Sequence, residues 1–126
     1  MDTPDFAAMV ARHRDCFLSG RTRPEAWRQA QLQALKAMLD EHHDEFCDAL
    51  WTDLRRNRVD ADLVDVANSA KEAEHALAHL RAWMAPQRMH VPVLLQPGRA
   101  EVRFDPLGVA LIIGAWNYPI LSLIHI

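Results

Sequence analysis

The chain is predicted to be α/β, with helices in front and the opening of a parallel sheet behind. Three observations carry this. Apolar residues recur at helical spacing through roughly the first two-thirds of the chain. A Pro97-Gly98 turn signal then separates two short β-type runs. Finally, "VALIIG" (109–114) is apolar without alternation, as expected of a strand covered on both faces. The expected organisation is a helical part over 1–89, a β-hairpin over 90–105, and a first strand with its loop over 106–126. Helices leading into one parallel strand call for further βα units, so the fold is expected to be incomplete.

The helices follow in order. "TRPE" at Thr22–Glu25 has capping-box spacing: Thr22 can accept from an early backbone N–H, Glu25 can reach back, and Pro24 occupies the first turn. Behind it Leu32, Leu35 and Leu39 form an apolar stripe, which Ala34 and Met38 are expected to widen. The polar "DEHHDE" at 40–45 is expected to interrupt the helix before Phe46, Ala49, Leu50 and Leu54 resume the face. The third segment is the most regular. Val59, Leu63, Val66, Ala70, Ala73, Leu77, Leu80 and Met84 alternate steps of four and three, one narrow seam along a long helix ended by Pro86. This seam is expected to lie on a neighbour inside one domain. A helical interaction module acting through 59–84 is the alternative.

After residue 90, "VPVLLQ" and "AEVRFD" flank the Pro97-Gly98 turn and predict a hairpin with one wet face. The apolar strand at 109–113, left without neighbours, would make the isolated chain prone to associate.

Composition excludes several classes. Half of the 126 residues are hydrophobic and a quarter charged, which is ordinary globular usage. A net charge of −3 with mixed signs offers no footprint for nucleic acid. The amino terminus is acidic from Asp2 and lacks an apolar core, unlike a secretory signal, and no run reaches the ~18 apolar residues of a membrane span. Cys16 and Cys47 lack metal-ligand or CxxC spacing, so both are expected as small apolar groups in a reducing, cytoplasmic setting. His75 and His79 stand at i, i+4 on the outward face without a third ligand, and His42-His43 is expected on the surface. Neither a phosphate-binding glycine motif nor a G-x-S-x-G elbow is present.

The candidate chemistry lies in "LIIGAWNYPI". A buried strand would deliver Gly114 and Ala115 to the carboxyl end of a parallel sheet, where open α/β folds bind ligands. Asn117 offers two uncharged N–H donors able to stabilise a developing oxyanion. The plain alternative is a turn in which Asn117 bonds its own backbone while Trp116 fills core.

"PLGVALIIGAWNYP" (106–119) closely resembles the aldehyde dehydrogenase superfamily, in which a strand ends in Trp-Asn-aromatic-Pro. The form is most similar to the class 3 branch and to bacterial coniferyl-type members. "FLSGRTRPEAWRQAQLQALKAML" is similar to that branch's first helices. The likeness covers residues 16–120 and only the front portion of a family member, so an amino-terminal fragment with the start of a Rossmann-like cofactor domain is expected.

The resemblance implies oxidation of a small-molecule aldehyde to an acid with NAD or NADP, through a cysteine nucleophile and a general-base glutamate. It assigns Asn117 to oxyanion stabilisation, Ile113, Gly114, Ala115 and Trp116 to the cofactor, and Trp116 and Tyr118 to the substrate entrance. The nucleophile and the base match no residue here, so the 126-residue chain alone is expected to be inactive. A short relative that binds NAD without chemistry is a further alternative. The hairpin falls where the family builds subunit contacts, which implies a homodimer. "LSLIHI" departs from the family pattern, so residues 121–126 are expected to be non-native; an open reading frame past residue 120 would accord with that, and an authentic stop after Ile126 would oppose it.

Overall fold

The computed structural model describes residues 4–124. Helix α1 (Phe6–Leu18) starts where the Asp5 carboxylate accepts from the Ala8 N–H at 2.9 Å, and it ends before Gly20, whose φ of 75° suits a helix stop. Helix α2 (Glu25–Glu41) starts differently from expectation. Its N-cap is Pro24, and no side chain caps it. The Glu25 carboxylate instead accepts from Gln29 Nε2 at 2.9 Å and pairs with Arg81 Nε at 3.0 Å, while the Thr22 carbonyl accepts from Arg28 Nε. The capping-box spacing is present, but an amide one turn on and a distant arginine take its glutamate.

The interruption at 40–45 is observed as a break at His42, and α3 (His43–Leu54) follows. Of the expected α2 stripe, Leu39 is buried and Leu32 and Leu35 half-buried, whereas Ala34 and Met38 face solvent. Helix α4 (Arg58–Asp60) runs without a break through a π-helical segment (Ala61–Val66) into α5 (Ala67–Met84). The Ala67 N–H reaches back to the Asp62 carbonyl, five residues away. The π segment unwinds everything upstream by roughly 100°, about one α-helical residue's worth of rotation. The seam therefore holds only in part. Val66, Ala73 and Leu80 are buried, but Val59 and Leu63 are 66% and 63% exposed, and Ala61 and Asp65 take the inner positions.

The core forms where α2, α3 and the π segment meet. Leu39, Cys47, Leu50, Ala61 and Val66 are buried together, ringed by Leu35, Phe46, Ala70, Ile120 and Ile124. Helix α5 lies along α2, and fully buried Ala73 is small enough to admit close approach between neighbouring elements. An intramolecular neighbour thus covers the part of the seam that is buried.

Two strands, β1 (Gln87–Met89) and β2 (Ala100–Val102), pair antiparallel with Gln87 opposite Val102 and Met89 opposite Ala100. The hairpin exists, but its first strand precedes residue 90. "VPVLLQ" forms a short 3₁₀ turn at Val93–Leu95, because Pro92 and Pro97 remove donors that a ladder would need. At Gly98 a Cβ would lie 2.5 Å from the Leu95 carbonyl oxygen, so this turn requires glycine.

Residues 103–114 form no ladder among the described residues, and Leu111 and Ile113 stand 86% and 79% exposed. The run at 109–113 was expected to be covered on both faces. A parallel strand needs a hydrogen-bonded neighbour, and the described residues supply none. The segment passes the end of α1 at Gly108, whose φ of 122° sets its backbone against the Phe17 ring.

Candidate active site

The run from Ile113 to Ile120 folds back on itself. The Tyr118 N–H donates to the Ala115 carbonyl at 3.2 Å, and the Ser122 N–H donates to the Tyr118 carbonyl at 3.0 Å. The Ala115 N–H donates to Ser122 Oγ at 2.8 Å. A Cβ on Gly114 would meet Leu123 Cδ2 at 3.0 Å and both the Pro119 carbonyl oxygen and Ser122 Oγ at 3.1 Å, so the fold-back is too tight for a side chain there.

A charged pair ties this loop to the helices. Arg55, the last residue of the α3 turn, adopts the left-handed conformation at φ 55°, and the Arg56 N–H returns to the Leu50 carbonyl at 3.4 Å. That turn directs the Arg56 side chain across to the loop. Its guanidinium donates to the Asn117 carbonyl and sits 4.9 Å from the centre of the Tyr118 ring, a cation–π contact. It also meets Asp65 Oδ2 at 3.5 Å. Asp65 is fully buried, and its other oxygen accepts from the Leu121 N–H at 2.8 Å. A buried carboxylate is tolerable only when paired in this way.

The backbone of Asn117 is thus held, while its side chain is exposed and makes no hydrogen bond among the described residues. It does not bond its own backbone, and Trp116, 84% exposed, does not fill the core. Trp116 lines an apolar hollow of about 310 Å³ with Phe46, Leu50, Leu54, Pro119 and Ile120, into which Asp53 brings a single carboxylate. Asn117, Trp116 and Tyr118 therefore share one open loop, with Ile113, Gly114 and Ala115 entering it. Arg56 and Asp65 were missed by the sequence reading. The only signal was an acidic residue beside Val66 in an apolar seam, and its partner lies nine positions away in a turn.

The other candidates fall outside this loop. His75 and His79 lie with tilted rings 4.1 Å apart between centres on the exposed face of α5, and His79 stacks on Trp83. No group of three His, Cys, Asp or Glu side chains among the described residues could hold a metal ion. His42 is exposed, but His43 is half-buried, bridging to Asp62 Oδ1 at 2.8 Å, and this hydrogen bond, then that with Asp44, raises its pKa above the ordinary 6.5. Cys47 is buried and burial pushes its thiol up, away from the thiolate a nucleophile needs. Cys16 is half-buried and free.

A family model described as "Aldehyde dehydrogenase family" matches residues 1–126. The chain belongs to the aldehyde dehydrogenase family. Its relatives include aldehyde dehydrogenase family 3 member I1, chloroplastic, from Arabidopsis thaliana, 37% identical over 115 residues, which make up 91% of this chain and 21% of that protein. Human aldehyde dehydrogenase family 3 member B1 is 41% identical over 111 residues, 88% of this chain and 24% of that protein. The dog protein described as "Aldehyde dehydrogenase, dimeric NADP-preferring" is 38% identical over 111 residues, 88% of this chain and 24% of its own length. The chain thus spans about a quarter of the length of these aldehyde dehydrogenases. A solved structure, the substrate-bound state of Staphylococcus aureus AldH, superposes with a TM-score of 0.92 at 24% identity, over 97% of this chain and 27% of that one. That likeness establishes the fold. No helix among the described residues of this aldehyde dehydrogenase chain is long and apolar enough to cross a membrane.

Proposed function

We propose that this chain supplies the oxyanion-stabilising amide and part of the cofactor cradle of an NAD(P)-dependent aldehyde dehydrogenase, which converts a small-molecule aldehyde to a carboxylic acid. The observation that carries the reading is the Asn117 side chain. It is exposed and free of hydrogen bonds among the described residues, while its backbone is fixed by Arg56. A donor left free on a fixed backbone is available for charge that develops on a carbonyl oxygen, and it needs no proton transfer of its own.

Ile113, Gly114, Ala115 and Trp116 are the residues proposed to hold NAD or NADP. Among the described residues the backbone groups of Ile113 and Gly114 make no hydrogen bond, and the side chains of Ile113 and Trp116 stand open beside them. These features fit the edge of a dinucleotide, although the Ala115 N–H is already engaged by Ser122. The bound cofactor would supply hydride acceptance. Trp116 and Tyr118 wall the approach to Asn117, and the adjoining apolar hollow suits the hydrocarbon part of an aldehyde. The nucleophile and the base are proposed to lie outside these 126 residues, since neither Cys16 nor buried Cys47 stands in this loop. The cytoplasm is the proposed compartment, and the naming of one relative as dimeric supports a homodimer of the intact enzyme.

The test is Asn117→Ala in a full-length enzyme carrying this segment. Turnover should fall by about 10²–10³, as when an oxyanion donor is removed elsewhere. Unchanged turnover would remove Asn117 from the mechanism.

A further inference from the structure

We propose that Arg56, held by Asp65, is a positioning residue that sets the presentation of the Asn117 amide, an inference that rests on the oxyanion role given above. Three contacts converge on one guanidinium: the Asn117 carbonyl, the face of Tyr118 and the Asp65 carboxylate. They reach the residues on both sides of the Asn117–Tyr118 peptide, so the loop can neither slide nor rotate without breaking one of them. The guanidinium suits this task because its planar fork serves a carbonyl and a carboxylate while its face stacks on an aromatic ring.

The supports of Arg56 are themselves fixed. Asp65 lies one helical turn before Ser69 and two before Ala73, all three buried on one side of the long helix. The Arg56 backbone is tied to the Leu50 carbonyl, and Leu50 belongs to the central apolar cluster. The ion pair thereby joins the Asp65–Leu121 hydrogen bond and the packing of Ile120 in referring the loop back to the core. Arg56 itself is half-buried, with its side chain 17% exposed, which limits screening by water. No part of its side chain is proposed to touch the aldehyde, so its effect must pass through Asn117.

A double-mutant cycle tests this in a full-length enzyme carrying the segment, with benzaldehyde as probe and each nicotinamide cofactor at saturation. Arg56→Ala should lower kcat by about 10- to 100-fold, the scale of losing alignment while keeping the donor, with KM for benzaldehyde nearly unchanged. Added to Asn117→Ala it should lower kcat no further, because nothing remains to be positioned. Arg56→Lys should recover part of the loss, since an ammonium keeps one donor and the charge opposite Asp65. Full additivity of the two substitutions, or wild-type kcat in Arg56→Ala, would overturn the proposal while leaving the oxyanion reading intact. Unchanged kcat in Asn117→Ala would overturn both. Arg56→Ala strands a buried carboxylate and risks misfolding. Arg56→Met with Asp65→Asn removes both charges while keeping an acceptor for the Leu121 N–H. That pair should show the same loss of kcat and the same non-additivity, and normal kcat in it would equally refute the role of Arg56.

Discussion

Leu63 and Leu80 occupy equivalent seam positions in the sequence, yet the π-helical segment separates their fates. Leu80 is 8% exposed and Leu63 is 63% exposed. Leu80→Ala removes the equivalent of three buried methylenes at about 0.8 kcal/mol each and leaves a partly collapsible gap, so a loss of about 2–3 kcal/mol is expected. Leu63 loses only about a third of its surface to burial, which scales the same substitution to under about 1 kcal/mol. The better helix propensity of alanine offsets a few tenths of that. Urea unfolding of the 126-residue chain, followed by far-ultraviolet circular dichroism, reads both losses as shifts in midpoint at constant slope. Equal losses for the two variants would mean that the helix is regular through 61–66 and that the rotation described above is wrong.

Two further outcomes follow from particular contacts. His43 has a folded pKa raised above the ordinary 6.5 by Asp62 and Asp44, so its contribution is fully present below about pH 6.5 and is lost as pH rises through the folded value. His43→Gln should therefore destabilise the chain more at about pH 6 than at about pH 9, and an equal urea-midpoint difference at both would contradict the bridge. At the starts of α1 and α2, Asp5→Ala should cost about 1 kcal/mol and Thr22→Ala under about 0.5, because Asp5 caps through its side chain and Thr22 does not. A thermal melt showing the reverse order would restore the capping box at Thr22.

Features set by local chemistry were legible in the sequence. The break at His42, the end of the long helix before Pro86 and the turn at Pro97-Gly98 all followed from residue types at short range. The motif around Asn117 was legible through its composition and its likeness to a family. What sequence missed depends on distant partners. The glutamate of the capping box went to Arg81, 56 residues away. The apolar run at 109–113 had its strand character inferred from a sheet that the described residues do not include. Asp65 drew no reading from sequence, because nothing local announces a partner in the turn at Arg56. The seam misled at its front end because a strict spacing of three and four assumes α-helical winding throughout.

The π-helical segment also gives the long helix a spare residue. In an ordinary buried helix a single deletion throws every upstream side chain onto the wrong side. Here the winding between Ala61 and Val66 already absorbs one residue more than an α-helix would. Removing a residue from that stretch would let it tighten into regular α-helix while α4 keeps the face it now presents. Val59 would stay exposed, and the residues before the stretch would keep their present sides. The long helix can thus lose one residue between Ala61 and Val66 without moving what lies upstream of it.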